Sequence, residues 1–185
     1  MTLRSLIRPS PLVASAAAVL LISGCATIPD NTGFQVASAK LVSASGTSIG
    51  AAKIETHGRG LRLDVTVIGL APGVHGLHLH ATGSCNAPGF TTAGPHLNPD
   101  KRQHGTESSG GSHLGDLPNL IVGADGSGTL SVMLPGSALV LEAAILRDPD
   151  GTAIVVHAGP DDYRTDPSGN SGNRIACGVF SLPER

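Results

Sequence analysis

The residues of this chain best suited to chemistry are its eight histidines, at positions 57, 75, 78, 80, 96, 104, 113 and 157. Imidazole binds protons and borderline metal ions near neutral pH, so spacing decides which use a cluster serves. His78 and His80 stand two apart in Leu77-His78-Leu79-His80. In a strand that spacing sends both imidazoles to one face. His157 ends the apolar run Ala153-Ile154-Val155-Val156, at a strand end where a site can form. These three supply nitrogen only, which suits copper or zinc. A second group, His96, His104, His113 and Asp116, supplies three nitrogens and one carboxylate oxygen. That is a complete tetrahedral set for zinc with no position left for water, which implies a structural ion. The competing reading is a His-rich linker without ligand duties; the turn-rich spacing and the terminal Asp116 weigh against it.

Such side chains need a frame, and the dominant period along the chain is two. Leu61, Leu63, Val65 and Val67 alternate with Arg62, Asp64 and Thr66, the pattern of a half-buried strand. Similar stretches cover 35–42, 49–56, 77–80, 130–134, 138–144, 153–157 and 175–180. Residues 138–147 could pass for a short helix, but they lack flanking helix signals and fit the strand spacing, so a strand is expected. Turn pairs such as Pro72-Gly73, Asp125-Gly126 and Asp150-Gly151 punctuate the strands. Seven or eight short strands with frequent turns predict an all-β antiparallel sandwich or barrel. Two stretches, 81–118 and 158–174, break the rhythm and are long enough to be functional loops.

The first two dozen residues read as an address. Arg4 and Arg8 precede an apolar run, 12–22, too short to span a bilayer. The run ends in Leu21-Ile22-Ser23-Gly24-Cys25, which resembles the bacterial lipobox, whose cysteine takes a lipid. The expected organisation is a lipoprotein signal peptide at 1–24, a lipidated tether at 25–33 and one domain at 34–185. The alternative is an ordinary secretory signal with an incidental cysteine; either way the mature chain leaves the cytoplasm. The expected location is the bacterial cell envelope or periplasm, held to a membrane through Cys25. With Cys25 lipidated, Cys85 and Cys177 can pair with each other in an oxidising compartment. That bond would contribute up to ~4–5 kcal/mol by the chain-entropy account; the alternative is two buried free thiols. The leader holds two of the 12 basic residues and none of the 14 acidic ones, so the remainder carries about −4. No basic cluster, no Trp, one Tyr and three Phe give no sign of nucleic-acid binding.

Six short segments in order carry a family resemblance. Gly73-Val74-His75-Gly76-Leu77-His78-Leu79-His80 resembles the copper motif of the copper/zinc superoxide dismutases. Gly94-Pro95-His96-Leu97-Asn98-Pro99, His104-Gly105 and His113-Leu114-Gly115-Asp116 resemble its metal loop, with ligand intervals of 8, 9 and 3 residues. Val155-Val156-His157 is similar to the segment with the last copper ligand. Gly172-Asn173-Arg174-Ile175-Ala176-Cys177-Gly178-Val179 is similar to the one with the active-site arginine and second half-cystine. The resemblance covers about residues 35–182 and implies a Greek-key β-sandwich or flattened barrel, immunoglobulin-like, carrying two long functional loops. It implies one copper per subunit on His78, His80, His96 and His157, and one zinc on His96, His104, His113 and Asp116, with His96 shared. It makes Asp161 the carboxylate that joins ligands of the two sites, His75 a structural residue, and Cys85 and Cys177 the disulfide. His57 has no family counterpart and is expected on the surface.

The activity so implied is dismutation of superoxide to oxygen and hydrogen peroxide, with Arg174 and His96 as the catalytic residues. Arg174 would hold the anion beside copper, and His96 would carry a proton. Lys101 and Arg102 are weaker candidates for steering the substrate, because the second loop is short and carries Arg164 among Asp161, Asp162 and Asp166. The competing function is an extracytoplasmic copper- and zinc-binding module that buffers or delivers metal, which would have no need of Arg174. A structural domain that kept the fold and lost the chemistry should have lost ligands, and none is missing. Family members differ in oligomeric state; a homodimer is one arrangement the resemblance admits.

Overall fold

The computed structural model describes residues 33–183. The expected leader, the lipidation site Cys25 and all of the tether except Gly33 lie outside the described residues. Among the described residues nine strands appear in chain order: β1 Gln35–Ser43, β2 Ser48–His57, β3 Gly60–Val67, β4 Gly73–His75, β5 Leu77–His80, β6 Leu120–Val122, β7 Gly128–Met133, β8 Ala153–His157 and β9 Arg174–Val179. All pairings are antiparallel, in the order β4-β6-β7-β3-β2-β1-β9-β8-β5.

The two edges of that order are the same stretch of chain. Only Gly76 separates β4, which pairs with β6, from β5, which pairs with β8. The sheet therefore nearly closes into a barrel, which leaves little free edge. Chain neighbours β3 and β4 are separated in space by β7 and β6, a Greek-key connection.

The period-two pattern of β3 is realised as read: Leu61, Leu63, Val65 and Val67 are buried, at roughly 1.5–3 kcal/mol for each side chain. Arg62 stays outside, bonded to Asp64 and Glu55, both at 2.9 Å. Leu77 and Leu79 of β5 join the barrel core with Ile154 and Val156 of β8. By alternation, His78, His80, Ala153, Val155 and His157 face the opposite way, outside the barrel.

The expectation for 138–144 is corrected. These residues wind into a short helix, α1 Ala138–Leu141, continued by one wide turn over Glu142–Leu146. The Leu141 amide donates to Ser137 O at 3.1 Å, starting the helix. Leu141 and Ile145, four apart, are both buried, while Glu142 and Arg147 pair outside at 2.8 Å. Alanine and leucine lose little in a helix, and the buried stripe outweighs a strand there. The three-residue strands β4 and β6 were not anticipated; they are too short to show a period and exist by pairing with each other.

Candidate metal centre

The first long loop reaches the outer face of β5 by acting as an extra strand along it. Leu79 N–H donates to Gly115 O at 2.9 Å, Leu97 N–H to Leu79 O at 2.8 Å and Ala81 N–H to Pro95 O at 2.9 Å. Bridges pair His78 with Asp116 and His80 with His96. Backbone pairing so brings residues distant in sequence against the β5 histidines. Gly115 is required at this approach, because a Cβ there would run into Leu79 O. The loop is packed down by Phe90 and Ala93, buried against Ala153, Val155 and Cys177. Cys85 and Cys177 are disulfide-bonded, as expected, and fasten the same part of the loop to β9.

His78, His80, His96 and His157 are all buried and bring ligand atoms within 4.8 Å of one another. Their hydrogen bonds identify which nitrogen is free. His80 Nδ1–H donates to Gly94 O at 2.9 Å and His157 Nδ1–H to Gly172 O at 3.2 Å; a carbonyl can only accept. His78 Nε2–H donates to Asp161 Oδ2 at 2.8 Å. That leaves His78 Nδ1, His80 Nε2 and His157 Nε2 as buried lone pairs without a partner, together with His96 Nε2. Four such atoms in one place would be costly on their own and form a set that a soft or borderline cation fits.

A second set surrounds Asp116. Its Oδ1 lies 3.0 Å from His96 Nδ1, 3.0 Å from His104 Nδ1 and 3.2 Å from His113 Nδ1. His96 Nδ1 and His113 Nδ1 are 3.4 Å apart. A tetrahedral zinc with bonds of 2.0–2.1 Å has ligand–ligand edges of about 3.3 Å, so these four residues fit one ion. His104 Nε2–H donates to Asp161 Oδ1 at 2.9 Å, which makes its Nδ1 a lone pair facing a carboxylate oxygen. Two acceptors at that separation call for a cation between them. His78 also comes within 4.8 Å of His96, His104 and Asp116, but with Nε2 on Asp161 its remaining nitrogen belongs to the all-imidazole set. His96 presents one nitrogen to each set, and Asp161 ties His78 of one to His104 of the other. Gly169, at φ +64°, lies so close to both Asp161 and His104 that a side chain there would collide with them.

Arg174 begins β9 at the mouth of a cleft of about 460 Å³ lined also by Thr91, His96, His157 and Gly172. Its guanidinium donates to Phe90 O and Gly94 O, both at 2.7 Å. Gly94 O also receives His80, so one carbonyl orients both an imidazole of the set and the arginine. His75 is buried between His157 O at 2.8 Å and Ala71 O at 2.9 Å, a structural position as anticipated, and His57 is exposed. Arg164 is committed to Glu107 and does not enter the cleft; Lys101 and Arg102 are exposed and do not line it. Asn119, which the spacing did not single out, bonds the backbone of Asp161.

Residues 48–180 match the family model described as "Copper/zinc superoxide dismutase (SODC)". The chain belongs to the copper/zinc superoxide dismutase family. It is 39% identical over 146 residues to "Superoxide dismutase [Cu-Zn] 2" of Aquifex aeolicus, covering 78% of this chain and 85% of the relative. It is 36% identical over 169 residues to "Superoxide dismutase [Cu-Zn]" of Caulobacter vibrioides, covering 90% and 97%. A crystal structure of a SOD-like protein from Bacillus subtilis superposes with TM-score 0.71 at 40% identity, covering 77% and 96%. The cofactors of this superoxide dismutase family are copper and zinc, and the two donor sets described here can hold both.

Burial keeps three imidazoles of this superoxide dismutase, those of His80, His96 and His157, neutral and ready to bind. It pushes His80 down to about 2 and His157 to about 3, and the neighbouring imidazoles and Arg174 lower both further. Burial takes His96 to about 4, against the opposing pull of Asp116. Burial alone would raise Asp116, but hydrogen bonds from His96 and the Gly105 amide hold it well below the usual carboxylate range. The unfolded chain protonates such histidines near 6.5, whereas the folded chain does so only near 2–4. Their contribution to stability is therefore complete above about pH 6.5 and is lost as pH falls toward the folded values. Metal-free protein is expected to melt several degrees lower at pH 5 than at pH 7.5, each histidine costing up to ~2 kcal/mol. Thermal unfolding of the metal-free chain at the two pH values checks this; an equal or higher melting temperature at pH 5 would overturn it.

Proposed function

We propose that this chain dismutates superoxide to oxygen and hydrogen peroxide, with copper held by His78, His80, His96 and His157 and zinc by His96, His104, His113 and Asp116. The observation that carries the reading is the convergence of four buried lone pairs beside a cleft that His96, His157 and Arg174 line. Copper supplies one-electron redox cycling and zinc supplies a fixed positive charge. The protein's own residues do the rest. Arg174, held by Phe90 O and Gly94 O, presents a permanent positive charge to a small anion entering the cleft. The shared His96 is anchored through Nδ1 beside Asp116, leaving Nε2 as the atom that takes up and gives back a proton. Asp161 keeps the imidazoles of His78 and His104 in the tautomers their neighbours require. The disulfide fastens the loop whose carbonyls aim Arg174, so it preorganises the site as well as stabilising the fold. With the leader and Cys25 as read from the sequence, the enzyme is a lipid-anchored envelope protein that removes superoxide outside the cytoplasm.

The test is superoxide removal by the purified chain, metal-free and then reconstituted with copper, with zinc and with both. Activity is expected only where copper is present, and Arg174→Ala is expected to lower it about tenfold or more at unchanged copper content. Stoichiometric metal binding without turnover would overturn the reading in favour of a metal-buffering module.

A further inference from the structure

Asn119 lies three residues after Asp116, where the first loop enters β6. Its side chain grips the backbone of one residue in the second loop at two points. Asn119 Oδ1 accepts Asp161 N–H at 2.8 Å, and Asn119 Nδ2 donates to Asp161 O at 2.9 Å. An amide is the side-chain group with one acceptor and one donor side by side, and the direction of both bonds follows from the Asp161 backbone. The grip is reinforced through Tyr163. Asn119 N–H donates to the Tyr163 hydroxyl at 2.8 Å, and Tyr163 N–H donates to Asp161 Oδ1 at 2.7 Å. Asp161 is buried, and its two carboxylate oxygens serve His78 and His104, one each. The exposed Arg164–Glu107 pair that also spans the two loops adds little restraint.

We infer that Asn119 is a positioning residue of this dismutase: by clamping the Asp161 backbone it sets the carboxylate that orients one imidazole of each metal set. The inference rests on the ligand assignment proposed above. Asn119→Ala frees the Asp161 backbone on both sides. Asn119→Asp keeps the acceptor for Asp161 N–H, removes the donor and places a like charge near Asp161.

The experiment loads wild type, Asn119→Ala, Asn119→Asp and Asp161→Asn with copper and zinc. It records the Cu(II) electron paramagnetic resonance spectrum and the loss of zinc to a competing chelator. Val65→Ala, in the barrel core away from the loops, is the control for lowered stability alone. Asn119→Ala is expected to shift the Cu(II) spectrum in the direction that Asp161→Asn does and to weaken zinc retention about tenfold. Asn119→Asp is expected to do the same to a smaller degree and carries the comparison if the alanine variant does not fold. Val65→Ala is expected to leave both readouts at the wild-type values. A wild-type spectrum and wild-type zinc retention in the Asn119 variants, with Asp161→Asn altered, would overturn the clamp while sparing the ligand assignment. The same shifts in Val65→Ala would also overturn it. An unaltered Asp161→Asn would remove the ligand assignment and the clamp together.

Discussion

His157→Ala is expected to lower dismutase activity by more than about a hundredfold while leaving the fold intact. The substitution deletes one of four converging nitrogens, and among the described residues no further donor joins that group to replace it. The fold should survive because the main-chain bonds at this position remain: His157 N–H still donates to Gly76 O, and His157 O still accepts from His75. Among the described residues the imidazole itself makes a single bond, at 3.2 Å to Gly172 O. Activity, copper content and circular dichroism of the purified variant make the check. Wild-type turnover with a native spectrum would remove His157 from the copper set.

Asp116→Ala is expected to act on stability first. Asp116 Oδ2 accepts the backbone amides of Gly105 at 2.8 Å and His113 at 2.9 Å, while Oδ1 faces three imidazoles. Removing the carboxylate leaves two buried amides unpaired, at roughly 1–3 kcal/mol each, and takes one ligand from the zinc set. In a chain of this size a loss of that order lowers the melting temperature by about 10 °C or more. Activity of the copper-loaded variant should fall less than in His157→Ala, because the all-imidazole set keeps its four nitrogens. Thermal unfolding of both proteins in the presence of zinc decides the matter. An unchanged melting temperature would count against a structural zinc at Asp116.

Much of the barrel was legible in the chain. The alternation in β3 and the i, i+2 spacing of His78 and His80 follow from strand geometry, and the structure places those side chains on the faces so predicted. The Cys85–Cys177 pairing followed from counting cysteines once Cys25 was set aside. The helix at Ala138–Leu141 was misread because the buried pair Leu141 and Ile145 gives a single four-residue step, too little to set a helical period against a strand. Strands β4 and β6 were missed because three residues carry no period. Whether a loop cation lines the cleft was not legible in the chain: Lys101, Arg102 and Arg164 do not, since pairing and direction depend on the folded loops.

The sequence by itself determined the donor types, their order along the chain and the faces of the strands that carry them. Those properties are local: they depend on side-chain chemistry and on the two-residue repeat of an extended backbone. Only the tertiary structure decided which nitrogen of each imidazole is free, that one carbonyl of Gly94 aims both His80 and Arg174, and that Asn119 holds Asp161. Each of these joins residues 14 to 83 positions apart through hydrogen bonds that exist only after the barrel has closed and the disulfide-held loop lies against β5.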